Sequence, residues 1–301
     1  MRCGLERMVA CEYSNVMQSP ATVRWLAALA DFCPAFLRSH PILAGFSETA
    51  GVALHGSTSF GIDDAVSDLD LWLVLTPAEL RRLDAISSTR FFEFELNAKP
   101  GHFSAVDAES FIQRVRQCDM PLISELRNAC SIADPGDLVR PLIGSASLPM
   151  PQDVRRAFFQ YHYVEFRGDD RAADHPLDRS DPVAVLQGHA AALGHALRAA
   201  LVLDGLPYPY SKWLYRDAVA APTGAKMATK VQELIDLVGS GALRDPTGSD
   251  SHPLSGKMKQ IRLVLIQCAQ EAGIDQPWLK QWWLHIDAAR AGILRVQWPC
   301  E

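Results

Sequence analysis

Two acids, two residues apart, open a strand that ends fully apolar: Asp68-Leu69-Asp70-Leu71-Trp72-Leu73-Val74-Leu75. Alternation at the start and unbroken apolar character at the end read as a strand. Side chains two apart on a strand share a face. Asp68 and Asp70 therefore project together, with Cα atoms roughly 6.5–7 Å apart. Neighbouring carboxylates repel, and a cation between them relieves the cost. Magnesium suits such a place, because it takes carboxylate and phosphate oxygens and keeps several waters.

Upstream, Val52-Ala53-Leu54-His55 reads as a short apolar strand, and Gly56-Ser57-Thr58-Ser59-Phe60-Gly61 as a tight turn after it. Glycine lets backbone approach a ligand closely, and the N–H groups that follow, with the Ser57 hydroxyl, suit phosphate oxygens. Ten residues separate Ser57 from Asp68. Strand, Gly-Ser bend, loop and acid-bearing strand together make a phosphate cradle facing a metal site. Further on, Phe91 to Leu96 alternates, with Glu93 and Glu95 on one face. Lys99-Pro100-Gly101 reads as a turn, and His102 to Val106 as a return strand.

Helices surround and follow these strands. Residues 20–47 carry apolar side chains at helical spacing, punctuated by Pro34 and Pro41, and Thr76-Pro77-Ala78-Glu79 starts a helix with a cap, a first-turn proline and an early acid. From about residue 150 the pattern is helical almost throughout. Asp181-Pro182 opens a helix ending at Gly205, and 225–238, 258–272 and Trp278–Ile293 read the same way. The boundary falls between 118 and 150, with Ser145 to Gln152 the most linker-like stretch. The expected fold class is α+β: a mixed-sheet domain over 1–145, then an all-α domain over 146–301.

Charge and cysteine use narrow the function. The net charge is −6, and basic residues are scattered in pairs rather than gathered in a stripe, which ranks long nucleic acids below small molecules as partners. Seven widely spaced cysteines without a C-x-x-C suit reduced thiols in a cytoplasm. Residues 1–20 lack the apolar core of a signal peptide, and no run is long enough to span a membrane. Neither a P-loop nor H-E-x-x-H occurs, and Ser57 stands where an esterase elbow needs its first glycine.

Gly56-Ser57, a gap of ten and Asp68-Leu69-Asp70 together resemble the signature of the polymerase β-like nucleotidyltransferase superfamily. There Gly-Gly or Gly-Ser precedes Asp-x-Asp or Asp-x-Glu by about this gap. The resemblance covers about residues 50–110. It extends loosely to the helical half, since small antibiotic-modifying members pair this domain with a C-terminal helical one. Tyr208-Pro209-Tyr210-Ser211-Lys212-Trp213-Leu214 is similar to a patch in some members. The resemblance implies a cradle role for Gly56 and Ser57 and metal ligation by Asp68 and Asp70. It also implies a third acid on a later strand between apolar neighbours. Glu95 is favoured for this, and Glu93 also fits. Should the return strand be the counterpart, His102 or Ser104 takes the place and the third acid is missing.

Other positions read more plainly. His189 and His195, six apart, are off the spacing for shared ligation and read as packing or polar partners. Trp278, Trp282 and Trp283 read as core. Lys212 either lies along the surface or contacts a triphosphate. Glu165, Asp169 and Asp170 are open to an acceptor-binding or general-base role. The resulting expectation is transfer of a nucleoside monophosphate from ATP or another nucleoside triphosphate to a hydroxyl of a small acceptor, with release of pyrophosphate by a two-metal mechanism using Mg2+, or Mn2+ in its place. The acceptor is expected between the domains. Two alternatives stand beside it: an inactive nucleotide-binding module of antitoxin type, and transfer onto a macromolecule. Fold alone does not choose among them.

Overall fold

Five strands make one mixed sheet in the computed structural model of the chain, which describes residues 20–244 and 252–300. Cys3, Cys11 and the stretch 1–19 lie outside them. The chain divides into two compact units, one running to Leu148 and rejoined by Pro299–Glu301, the other Pro149–Trp298. The fold class is α+β.

The first unit opens with helix α1 (Pro20–Ser39), followed by a 3-10 turn, Leu43–Phe46. Trp25, Leu29, Cys33 and Leu37 recur every fourth residue and are all buried, which makes one apolar stripe. The helix runs through Pro34, so the break comes at the end of the stripe. Strand β1 (Gly51–His55) leads into a single helical turn, α2 (Gly56–Ser59), where the tight turn was expected. Strand β2 (Leu69–Leu75) precedes α3 (Pro77–Ile86), which Thr76 and Glu79 start with a reciprocal capping box. Then come β3 (Phe91–Leu96), β4 (Lys99–Asp107), α4 (Ala108–Arg116), α5 (Met120–Asn128), β5 (Cys130–Ala133) and α6 (Val139–Ser147). The sheet order is β3-β4-β2-β1-β5. Strand β4 runs parallel to β2, and the other neighbours are antiparallel.

The sheet's faces differ. Leu69, Leu71, Leu73 and Leu75 share one face with Val52, Leu54, Phe92, Phe103 and Ala105, and they form a core with the α1 stripe. Each fully buried leucine contributes about 1.5–3 kcal/mol. On the other face Trp72 meets Phe111 of α4 edge-on, with ring centroids 5.1 Å apart.

Two local readings are corrected. The turn joining β3 and β4 is Asn97-Ala98, both at positive φ (53° and 62°), so Lys99-Pro100-Gly101 belongs to β4. Two successive left-handed residues match the twist of a two-residue hairpin, and this turn pairs Glu93 with His102 and Glu95 with Pro100. The four-residue β5 was not anticipated; it is too short for alternation to register.

The second unit holds α7 (Gln152–Ala172), α8 (Asp174–Asp178), α9 (Pro182–Leu203), α10 (Ser211–Ala220), α11 (Pro222–Gly239), α12 (Pro253–Glu271) and α13 (Ile286–Ile293). Helix α9 starts where Asp181 accepts from the Val183 and Ala184 amides, and buried Ala192, Ala196, Ala199 and Ala200 let neighbours pack closely against it. The Trp278–Ile293 helix is not continuous. Two 3-10 turns, Pro277–Leu279 and Trp282–Leu284, precede α13. The Tyr163 hydroxyl takes the Leu279 carbonyl (2.8 Å), which a continuing helix would have paired within itself. Trp278 is buried, but Trp283 is 55% exposed and so is not core. No helix among the described residues is long and apolar enough to cross a membrane.

Candidate metal centre

Asp70 is held at the open end of β2 by register on both sides. It pairs with His55 of β1 and with His102 of β4. Directly opposite residues share a face, so His102 lies beside the two acids rather than beneath them. Its Nε2 is 3.2 Å from Asp70 Oδ1, and its Nδ1 is 3.5 Å from Asp68 Oδ2. Asp68, Asp70 and His102 each offer a ligand atom, and these atoms lie within 4.8 Å of one another. The Asp68 side chain is 51% exposed, against 19% for Asp70 and 16% for His102. Each ring nitrogen of His102 thus faces a carboxylate of its own.

The Gly-Ser bend reaches the same place. Gly56 has φ of +70°, and a Cβ there would stand 2.2 Å from Asp70 Oδ2. Glycine is required twice over, by conformation and by contact. Ser57 and Thr58 are buried behind it. The Thr22 hydroxyl of α1 donates to the Thr58 carbonyl (2.9 Å), and the Ser59 hydroxyl to the Gly56 carbonyl (2.9 Å). The bend is thus fixed to the core helix and turned toward the acids. The loop before Asp68 is braced as well. Asp64 accepts from the Ser67 hydroxyl (2.7 Å) and the Val66 amide (3.1 Å), and these bonds, the serine's first, hold its carboxyl below the usual range. Lys99 pairs with Asp63 (3.0 Å), both largely buried.

The acids of β3 are arranged differently. Strand β4, not β3, is the neighbour of β2, and it carries an imidazole at the level of Asp70. Glu93 is level with His102. With Val66, Asp68, Phe91, Phe94, Pro100, Gly101 and His102 it lines a surface pocket of about 470 Å³. Glu95 is two pairs further along, opposite Pro100, with β4 between it and β2. The structure therefore brings Gly56, Asp68 and Asp70 together and does not bring Glu95 to them, because the Asn97-Ala98 turn sets the register. Ser104 lies level with Trp72, deeper in the sheet.

Some contacts here carried no signal in the sequence. Phe91, 46% exposed, stacks on the His102 ring at 4.2 Å and 27°. His55 stacks on Trp72 at 4.0 Å, and its Nδ1 lies 3.0 Å from Glu125. Asn97, of a residue type that tolerates the left-handed region, is the local signal for the hairpin that sets β3 against β4.

The remaining candidates belong to the second unit. Lys212 stands at the start of α10, its ammonium 5.2 Å from the Trp213 ring. Glu165 is paired with Arg290 through both oxygens, at 2.5 and 3.0 Å. Burial pushes the Asp170 carboxyl up to about 6, against the pull of Arg167 and Arg262. His195 does not meet His189. Its Nδ1 is 2.9 Å from His162 Nδ1, while His189 bonds the Val185 carbonyl.

No family model matches the chain, and no curated protein matches it. Among solved structures it is similar to a nucleotidyltransferase-like protein from Exiguobacterium sibiricum 255-15, at 11% identity and a TM-score of 0.44, over 82% of this chain and 75% of that one. A likeness of that degree decides nothing about activity.

Proposed function

We propose that this chain is a divalent-metal-dependent nucleotidyltransferase, moving a nucleoside monophosphate from a nucleoside triphosphate, ATP first among them, onto a hydroxyl of a small acceptor. The observation that carries the reading is the seat of Gly56 against the Asp70 carboxylate, with Asp68 in the same group of converging atoms. The antiparallel pairing of β1 with β2, with His55 opposite Asp70, carries the bend to the end of the sheet where the acids stand. Gly56 and Ser57 start a helical turn, whose first amides have no intrahelical acceptor and suit phosphate oxygens. Two carboxylates and an imidazole fit a divalent cation, and Asp68, Asp70 and His102 are the residues that would hold it. When bound, the ion supplies charge neutralisation for the triphosphate. The residues of the bend and β2 orient the α-phosphorus for in-line attack. The acceptor oxygen bonds to that phosphorus as its bond to the bridging oxygen breaks. Pyrophosphate leaves with the electron pair, and the acceptor's proton passes to solvent.

The test is incubation with each α-labelled triphosphate, a divalent ion and a panel of hydroxyl-bearing acceptors, read as label transfer and pyrophosphate release. Asp70→Asn is expected to lose at least ~100-fold in transfer while keeping its circular dichroism. Wild-type transfer by that variant would refute the reading. The imidazole on β4, where the superfamily pattern has a third acid, favours a second reading, a nucleotide-binding module without turnover. Tight triphosphate binding with no transfer to any acceptor would select it.

A further inference from the structure

The donor set at the centre is not the all-oxygen set that magnesium prefers. Magnesium is hard, demands near-octahedral oxygen coordination and holds its waters. Imidazole suits the borderline first-row ions instead. The nitrogen here is not incidental. His102 is fixed by the register of β4 against β2, and its ring is clamped from one side by Phe91. Gly101 tightens that register, since a Cβ there would stand 2.4 Å from Phe94 and 2.9 Å from Leu69. Both ring nitrogens already face the two carboxylates. Within the described residues no other group of three potential ligands converges this way, and Glu95, the carboxylate that would make the set all-oxygen, is held away by β4.

We propose that Asp68, Asp70 and His102 form a mixed nitrogen–oxygen site for one divalent first-row transition-metal ion in preference to magnesium, with manganese(II), the weakest binder of that series, as its paramagnetic probe. The proposal rests on the reading of Asp68 and Asp70 as metal ligands. Asp68 and Asp70 each give a carboxylate oxygen, and one nitrogen of His102 completes the protein's share. The remaining positions are open to water or phosphate oxygens. His102 thereby takes the role that the sequence resemblance assigned to a third acid, and it changes which ion the centre selects.

The test uses the full chain, stripped with chelator and titrated with manganese(II) under electron paramagnetic resonance. One ion is expected to bind, at least ten-fold tighter than magnesium in competition. Pulsed measurements should show imidazole nitrogen coupling that changes when the wild-type protein is made with ¹⁵N-histidine, a readout needing no variant. His102→Asp should abolish the coupling and reduce the manganese-over-magnesium preference by ten-fold or more, and Asp70→Asn should abolish binding. Manganese bound without nitrogen coupling, but lost in Asp70→Asn, would overturn the inference and leave the carboxylate reading standing. Binding indifferent to Asp70→Asn, or no binding at all, would overturn both.

Discussion

A methyl group at position 56 has nowhere to go. The backbone is left-handed there, which costs an L-residue ~1–2 kcal/mol, and the Cβ would collide with the Asp70 carboxylate. Gly56→Ala is therefore expected to lower unfolding stability by about 1–3 kcal/mol in urea titration and to weaken manganese binding at least ten-fold by calorimetry. A variant with wild-type affinity would mean that the bend and Asp70 do not depend on one another. The β3 acids give a second expectation at this scale. Glu95, opposite Pro100 and outside the converging atoms, should tolerate Glu95→Gln with metal affinity within about two-fold, since surface changes away from special features cost little. A loss comparable to that of Asp70→Asn would restore Glu95 as the third ligand. The sequence carried both acids of β2, the glycine and the loop length openly. It did not carry the choice among Glu93, Glu95 and His102, because that depends on where the chain turns between two strands.

At the scale of elements, α7 and α9 meet through an unusual contact. His162 and His195 face each other Nδ1 to Nδ1, an arrangement that needs one donor and one acceptor, so at least one of the two rings is neutral. Burial, then the nearby Arg198, pushes His195 down to about 4, and burial likewise holds His162 well below the ordinary histidine value. The unfolded chain, titrating near 6.5, binds more protons in the window between, so stability is present at neutral pH and is lost as pH falls from about 6.5 toward 4. Unfolding free energies from urea titration at pH 7.5 and 5 should differ by ~1–3 kcal/mol more in wild type than in His195→Gln. Equal pH slopes would show that the pair is not held neutral. Thr76→Ala, which removes the capping box of α3, should cost ~1 kcal/mol by the same measurement. That cap, the Asp181 cap of α9 and the apolar stripe of α1 were legible because each is local. The Trp278–Ile293 segment misled because its spacing is helical while a distant tyrosine claims one of its carbonyls.

For the whole molecule, the convergence of Asp68, Asp70 and His102 within one compact unit has a thermodynamic consequence for the proposed ion. An ion that binds only the folded state stabilises it by mass action, by about 2.7 kcal/mol at a hundred-fold excess over Kd. Hydrogen exchange is expected to show this added protection in β1, β2 and β4 and not in α7 and α9. Equal protection throughout would mean that the two units open as one. The primary sequence by itself determined the α+β class, the helical character of the second half, and the pairing of a Gly-Ser bend with two acids on one strand face. These are written in side-chain periodicity, caps and spacings of a few residues, where backbone geometry alone dictates which atoms are neighbours. Only the tertiary structure decided that β4 rather than β3 lies beside β2, and that an imidazole rather than a third carboxylate stands beside Asp70. Strand order and the register of β4 against β2 arise from contacts between segments distant along the chain, while the local Asn97-Ala98 turn sets only β3 against β4.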